Sequence, residues 1–125
     1  MITDKVGIKE YLGIQIDYDR EKDFDKFSID TLRDRYFWGD ETHAQEALAR
    51  ASVYASTFRG DTDYEMAQRI YNYSSRRWFM FSTPILSNGG TTRGLPISCF
   101  LNYVPDSRTG LSAHFDENIW LASSG

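Results

Sequence analysis

The sequence predicts an α/β protein that is all-helical first and opens an α/β layer late, and three observations predict it. Apolar residues recur at helical spacing through residues 28–81, the pattern breaks at Ser82-Thr83-Pro84, and beyond a glycine-punctuated loop a run apolar on both faces precedes one more helical stripe. The 125 residues amount to one small domain, and 41% hydrophobic with 15% aromatic residues is ordinary globular composition.

Residues 1–27 carry no sustained period, and charge is nearly continuous from Asp17 to Lys26, so they read as an exposed lead-in segment. From Ser28, the expected N-cap, Ile29, Leu32 and Tyr36 space a short helix that ends near Trp38-Gly39. Between Glu41 and Phe58, the residues Ala44, Ala47, Leu48, Ala51, Tyr54, Ala55 and Phe58 fall on one stripe with no Gly or Pro among them, which predicts a helix over that whole segment. Arg59-Gly60-Asp61 stops it, and Thr62 with Glu65 three residues on reads as a capping box for the next. That third helix is expected to reach Phe81, with Met66, Ala67, Ile70, Tyr71, Ser74 and Trp78 on its inner face and its axis antiparallel to the second. Residues 28–81 are therefore an N-terminal helical region.

Residues 82–125 are expected to begin something different. A residue before proline is pushed towards extended geometry, so Ser82-Thr83-Pro84 predicts a bend. Asn88-Gly89-Gly90 and Arg93-Gly94 predict a loop, and Leu95 to Val104 reads as a strand of a buried parallel sheet, closed by Pro105-Asp106. Leu111, Phe115 and Ile119, with Ala122 one turn later, predict a fourth helix over Thr109 to Ala122. One central-looking strand leaves both edges unpaired, so the rest of its sheet is expected beyond residue 125, and Ser123-Ser124-Gly125 reads as a break in a longer chain.

Composition narrows the function. Fourteen Lys+Arg against eighteen Asp+Glu gives a net charge of −4 with no dense basic run, which argues against a grip on a nucleic-acid polymer. Cys99 is the one cysteine, so neither an intrachain disulfide nor a cysteine zinc cage is available, and no run of eighteen apolar residues suggests a membrane span; a cytoplasmic protein is expected. His43 and His114 have no Glu or Cys at ligand spacing, so no metal is expected and both read as surface residues. Tyr54, Phe58, Tyr71, Trp78 and Phe79 read as core packing.

A lone cysteine in an apolar strand is by base rate a small core residue. Thr83 at the bend, Ser98 beside the thiol and the glycine loop between them raise the other reading, in which hydroxyls and backbone donors converge near the sulfur. The loop Ser87 to Gly94 lacks the Gly-Lys-Ser/Thr ending of a phosphate-binding P-loop. Asp106-Ser107-Arg108, before a helix, is open to two readings, an anion site at the helix N-terminus or a plain capping turn.

The run Ser82-Thr83-Pro84-Ile85-Leu86-Ser87-Asn88-Gly89-Gly90-Thr91, continuing through Gly94-Leu95-Pro96-Ile97-Ser98-Cys99-Phe100-Leu101, resembles the large, catalytic subunit of ribonucleotide reductase. Leu32-Arg33-Asp34-Arg35-Tyr36 with Glu41-Thr42 resembles that family's N-terminal helical region, and Asp106-Ser107 with the following helix fits as well, so the likeness runs from about residue 28 to 125. It implies that residues 82–125 start the family's α/β barrel, incomplete here. It implies that Cys99 is the first cysteine of the pair that reduces the ribonucleotide, that Thr83 and Ser98 lie at the substrate, and that Asp106, Ser107 and Arg108 belong to the site for an ATP or deoxynucleotide effector. Leu111, Phe115 and Ile119 would sit on the helix shared by two large subunits. The implied partners are the missing C-terminal part of the subunit, a second large subunit in a homodimer, and a radical generator in trans, a metal-bearing small subunit or adenosylcobalamin as the alternative. Thioredoxin or glutaredoxin is the implied reductant. The second reducing cysteine and the radical cysteine are not in this sequence, so the chain is expected to be inactive alone. The alternative is a non-catalytic helical interaction module in which Cys99 is only core.

Overall fold

A computed structural model describes residues 5–124. Residues 1–4 of the expected lead-in and Gly125 of the expected break lie outside the described residues.

The described part of the lead-in is folded, contrary to expectation. Strands β1 (Ile8–Tyr11) and β2 (Ile14–Asp17) pair antiparallel, with Tyr11 opposite Ile14. The two-residue turn between them has positive φ at both positions, 52° at Leu12 and 83° at Gly13, as a tight primed hairpin turn requires. A Cβ on Gly13 would also stand 2.4 Å from Cε1 of Tyr64. Alternation along β2 turns Ile14 and Ile16 into the core, followed by Tyr18. A short 3-10 helix, Tyr18–Asp23, then brings Glu21 over the start of a central helix, where its carboxylate accepts from the N–H groups of Ala44 (2.9 Å) and Gln45 (3.4 Å). An anion there satisfies orphan donors and complements the helix dipole.

Helix α1 (Lys26–Arg35) is capped by Asp25, which accepts from the Ser28 N–H at 2.7 Å; Ser28 itself is inside the first turn. Helix α2 (Ala44–Ala55) is buried on every side from Ala44 to Ser52, and its small residues let neighbouring elements approach closely. It ends before the predicted Phe58, because Thr57–Phe58 (β3) pairs with Asp61–Thr62 (β4) across a turn with positive φ at Arg59 and Gly60. Asp63, not Thr62, caps α3 (Tyr64–Ser75), accepting from the Met66 N–H at 2.9 Å. The α2 and α3 helices pack antiparallel, and Tyr71 ties them, donating to Oε1 of Gln45 and accepting from the Asp17 N–H, both at 2.8 Å. Of the expected core aromatics, Tyr71 is fully buried, whereas Phe58 and Trp78 are 74% and 69% exposed because α2 and α3 end short of them.

His43 is buried, not a surface residue, at the start of α2 beside the Tyr18 ring. There Glu46 accepts from Lys5 Nζ (2.5 Å), Tyr18 Oη (2.8 Å) and the N–H groups of Thr42 (2.7 Å) and His43 (3.1 Å). Burial pushes the Glu46 carboxyl up, but those donors outweigh it and hold its pKa below the ordinary 4.5. A folded value below the unfolded one means that Glu46 contributes stability present above about pH 4.5 and lost as pH falls through the lower folded value. Urea melts across the acidic range are expected to show falling stability, with a shallower fall in Glu46→Gln; parallel curves would contradict this assignment.

At Ser82 the backbone is extended, but the proline starts a helix instead of a bend: α4 (Thr83–Asn88) carries Pro84 in its first turn, where the missing N–H has no intrahelical acceptor to lose. From Leu95 to Val104 the expected strand does not form among the described residues. Among the described residues no strand lies alongside to take its hydrogen bonds, and an isolated extended segment gains nothing by ordering. Its apolar residues are exposed, Leu101 completely. Cys99 is exposed too, and among the described residues it packs in no core. Helix α5 (Arg108–Ser124) forms close to its predicted bounds. The described fold is thus helical with two small hairpins.

Candidate functional site

The residues that the sequence singled out at Thr83 and Ser98 come together. Thr83, Pro84, Ser87 and Asn88 on α4 and Ile97 and Ser98 on the returning chain line an open cleft of about 210 Å³. Asn88 closes its far end: its Nδ2 donates to the Leu95 carbonyl (2.8 Å), while its own carbonyl accepts from the N–H (3.0 Å) and hydroxyl (2.7 Å) of Thr91. Cys99 follows Ser98 directly and is solvent-accessible, but it is not among the residues lining the cleft. Hydroxyls and an amide suit a polar, oxygen-rich ligand.

What fixes α4 is Arg50, buried on α2. Its guanidinium donates to both carboxylate oxygens of Glu41 (2.6 and 3.2 Å) and to the carbonyls of Gly89 (2.7 Å), Leu86 (3.0 Å) and Tyr36 (3.0 Å). It therefore satisfies the orphan carbonyls at the C-terminal end of α4. The glycine turn fits against the same platform: a Cβ on Gly89 would stand 2.6 Å from the Ile85 carbonyl and 2.7 Å from Cδ1 of Tyr54. Gly89→Ala is expected to destabilise the chain by about 1–3 kcal/mol, measured by urea denaturation, and a neutral result would mean that the turn yields freely.

Asp106, Ser107 and Arg108 are not among the residues lining this cleft. Ser107 accepts from the Gly110 N–H at 3.0 Å and so caps α5, while Asp106 and Arg108 are exposed. Leu111, Phe115 and Ile119 form an exposed stripe on α5. Among the described residues no cluster of three or more His, Cys, Asp or Glu is placed to hold a metal, and no helix is long and apolar enough to cross a membrane. Sequence reasoning passed over Arg50 and Glu41; the available signal was a cation set between Ala49 and Ala51 in an otherwise apolar stretch.

A helical body that carries such a cleft at its glycine-punctuated end defines a class: residues 22–94 match the family model for the ribonucleotide reductase all-alpha domain. The match takes in α1 to α4 and the loop after them, and ends just before Leu95. The chain belongs to the ribonucleotide reductase family, as an N-terminal portion of its large subunit. It is 40% identical over 98 residues to the ribonucleoside-diphosphate reductase large subunit of Invertebrate iridescent virus 6, covering 78% of this chain and 10% of that protein. With the large subunit of Invertebrate iridescent virus 3 it shares 43% over 98 residues, again 78% of this chain and 15% of that protein. The Helicobacter pylori subunit alpha is 29% identical over 120 residues, 93% of this chain and 15% of that protein. The chain thus spans 10% to 15% of the length of these relatives.

Proposed function

We propose that this chain supplies one wall of the substrate site of a ribonucleotide reductase large subunit that reduces ribonucleotides, diphosphates as the relatives' names say, to deoxyribonucleotides. The observation that carries the reading is the meeting of Thr83 and Ser98 in one cleft with Cys99 next in the chain. The two hydroxyls and nearby N–H groups bind the oxygen-rich substrate. Cys99 is one thiol of the reducing pair: two thiols become a disulfide, the ribose C–OH becomes C–H, and the hydroxyl leaves as water, so two electrons and two protons pass to substrate and leaving group. The partner thiol and the radical-bearing thiol come from the remainder of the subunit, the radical from a separate small subunit, and reducing equivalents from thioredoxin or glutaredoxin.

In the same reading Asp106, Ser107 and Arg108 face a nucleotide effector, and the exposed stripe of Leu111, Phe115 and Ile119 is covered by a second large subunit. The protein works in the cytoplasm. Mixing the chain with the remainder of the large subunit, the small subunit and a dithiol reductant is expected to convert labelled cytidine diphosphate to its deoxy form, with neither half active alone. A mixture that stays inactive, although both halves fold and associate, overturns the proposal.

A further inference from the structure

Three successive carbonyls at the end of α1 are held by two arginines: Arg93 donates to Arg35 O (2.7 Å) and Phe37 O (2.6 Å), and Arg50 to Tyr36 O (3.0 Å). The Arg93 guanidinium also lies 5.3 Å from the centre of the Trp38 ring. Arg93 is on the loop after Gly90, between α4 and the segment that carries Ser98 and Cys99. Within that loop the bonds of Asn88 to Leu95, Thr91 to Asn88 and the Arg93 N–H to Thr91 are internal, and the Arg50 bond to the Gly89 carbonyl holds it to the helical body only at its start, before Gly90. Past Gly90 the tie is Arg93, whose donors reach the α1 end from the far side of Gly89-Gly90.

We propose that Arg93 is a positioning residue for the substrate cleft: by clamping the loop to the C-terminal end of α1 it sets the distance of the Ser98–Cys99 segment from Thr83, without touching the ligand. This rests on the proposed function for what the cleft binds, but the clamp itself does not. Two carbonyls and a ring face suit a planar, forked guanidinium, whereas the lysine ammonium is a point donor. Retained charge alone therefore does not replace it.

The clamp is tested on this chain by tagging Cys99, its one cysteine, with a trifluoromethyl thiol reagent and recording the fluorine NMR line. Arg93→Ala is expected to narrow the line about twofold as the segment is freed, with helical circular dichroism unchanged and Arg93→Lys falling between. An unaltered line in Arg93→Ala overturns the clamp. In the reconstituted reductase, Arg93→Ala is expected to raise KM for cytidine diphosphate on the order of tenfold with a smaller change in kcat, the split that a general loss of folded protein does not produce. A freed tag with unchanged KM overturns the positioning role. If the wild-type mixture makes no deoxynucleotide, the functional reading fails while the fluorine line still decides the clamp.

Discussion

Replacing Arg50 by methionine is expected to destabilise the chain by about 3–5 kcal/mol, because it strands a buried carboxylate along with the carbonyls that the guanidinium serves. The stranded groups are Glu41 and the backbone oxygens of Tyr36, Leu86 and Gly89, which meet from three segments of chain. Urea denaturation of the single variants and of Glu41→Leu/Arg50→Met measures the coupling. The double variant is expected to recover part of the loss, since an apolar pair removes the unpaired charge, although the three carbonyls stay unserved. If Arg50→Met melted with the parent, Arg50 would have no role in seating α4. A second consequence concerns the cleft: with α4 loosened, the wall bearing Thr83 and Ser87 shifts against Ser98.

Cys99→Ser is expected to abolish deoxynucleotide formation by the reconstituted reductase under dithiol recycling. Serine keeps the shape and the hydrogen-bonding capacity of the position but cannot form the disulfide, so the pair of electrons that the C–OH bond requires has no source at this site. Because Cys99 is exposed and packs in no core, the variant should fold and associate as the parent does, which separates lost chemistry from lost structure. Multiple turnovers by Cys99→Ser at the parental rate would remove it from the reducing pair.

The helices were readable where an apolar stripe ran long enough to show its period. The stripe from Ala44 to Ala55 and the spacing of Leu111, Phe115 and Ile119 are local patterns, and α2 and α5 formed near their predicted places. The hairpin from Ile8 to Asp17 was missed although Ile14, Ile16 and Tyr18 alternate, because four-residue strands offer too few repeats to stand out against the charges that follow. Its two-residue turn gave little warning, since Leu12 at positive φ is an unusual choice. Ser28 and Thr62 lost the capping role to Asp25 and Asp63, aspartates close by in the sequence with equally good side chains. The predicted strand from Leu95 to Val104 had the right composition, but a strand is defined by its neighbour, and none stands beside it among the described residues.

The cleft was half legible. Thr83, Ser98 and Cys99 were picked out by their residue types around a glycine loop, and the first two do line one cleft. From the sequence by itself come the positions of the long helices, the single thiol and the kinship to the reductase large subunits, all carried by residue identity and short-range spacing. Tertiary structure alone decided that Arg50 joins the ends of α1 and α4 and that Arg93 ties the loop after α4 to the end of α1. The physical reason is that their partners are mostly backbone carbonyls, which every residue possesses, so no pattern of side chains announces which oxygens a folded chain will leave for an arginine to satisfy.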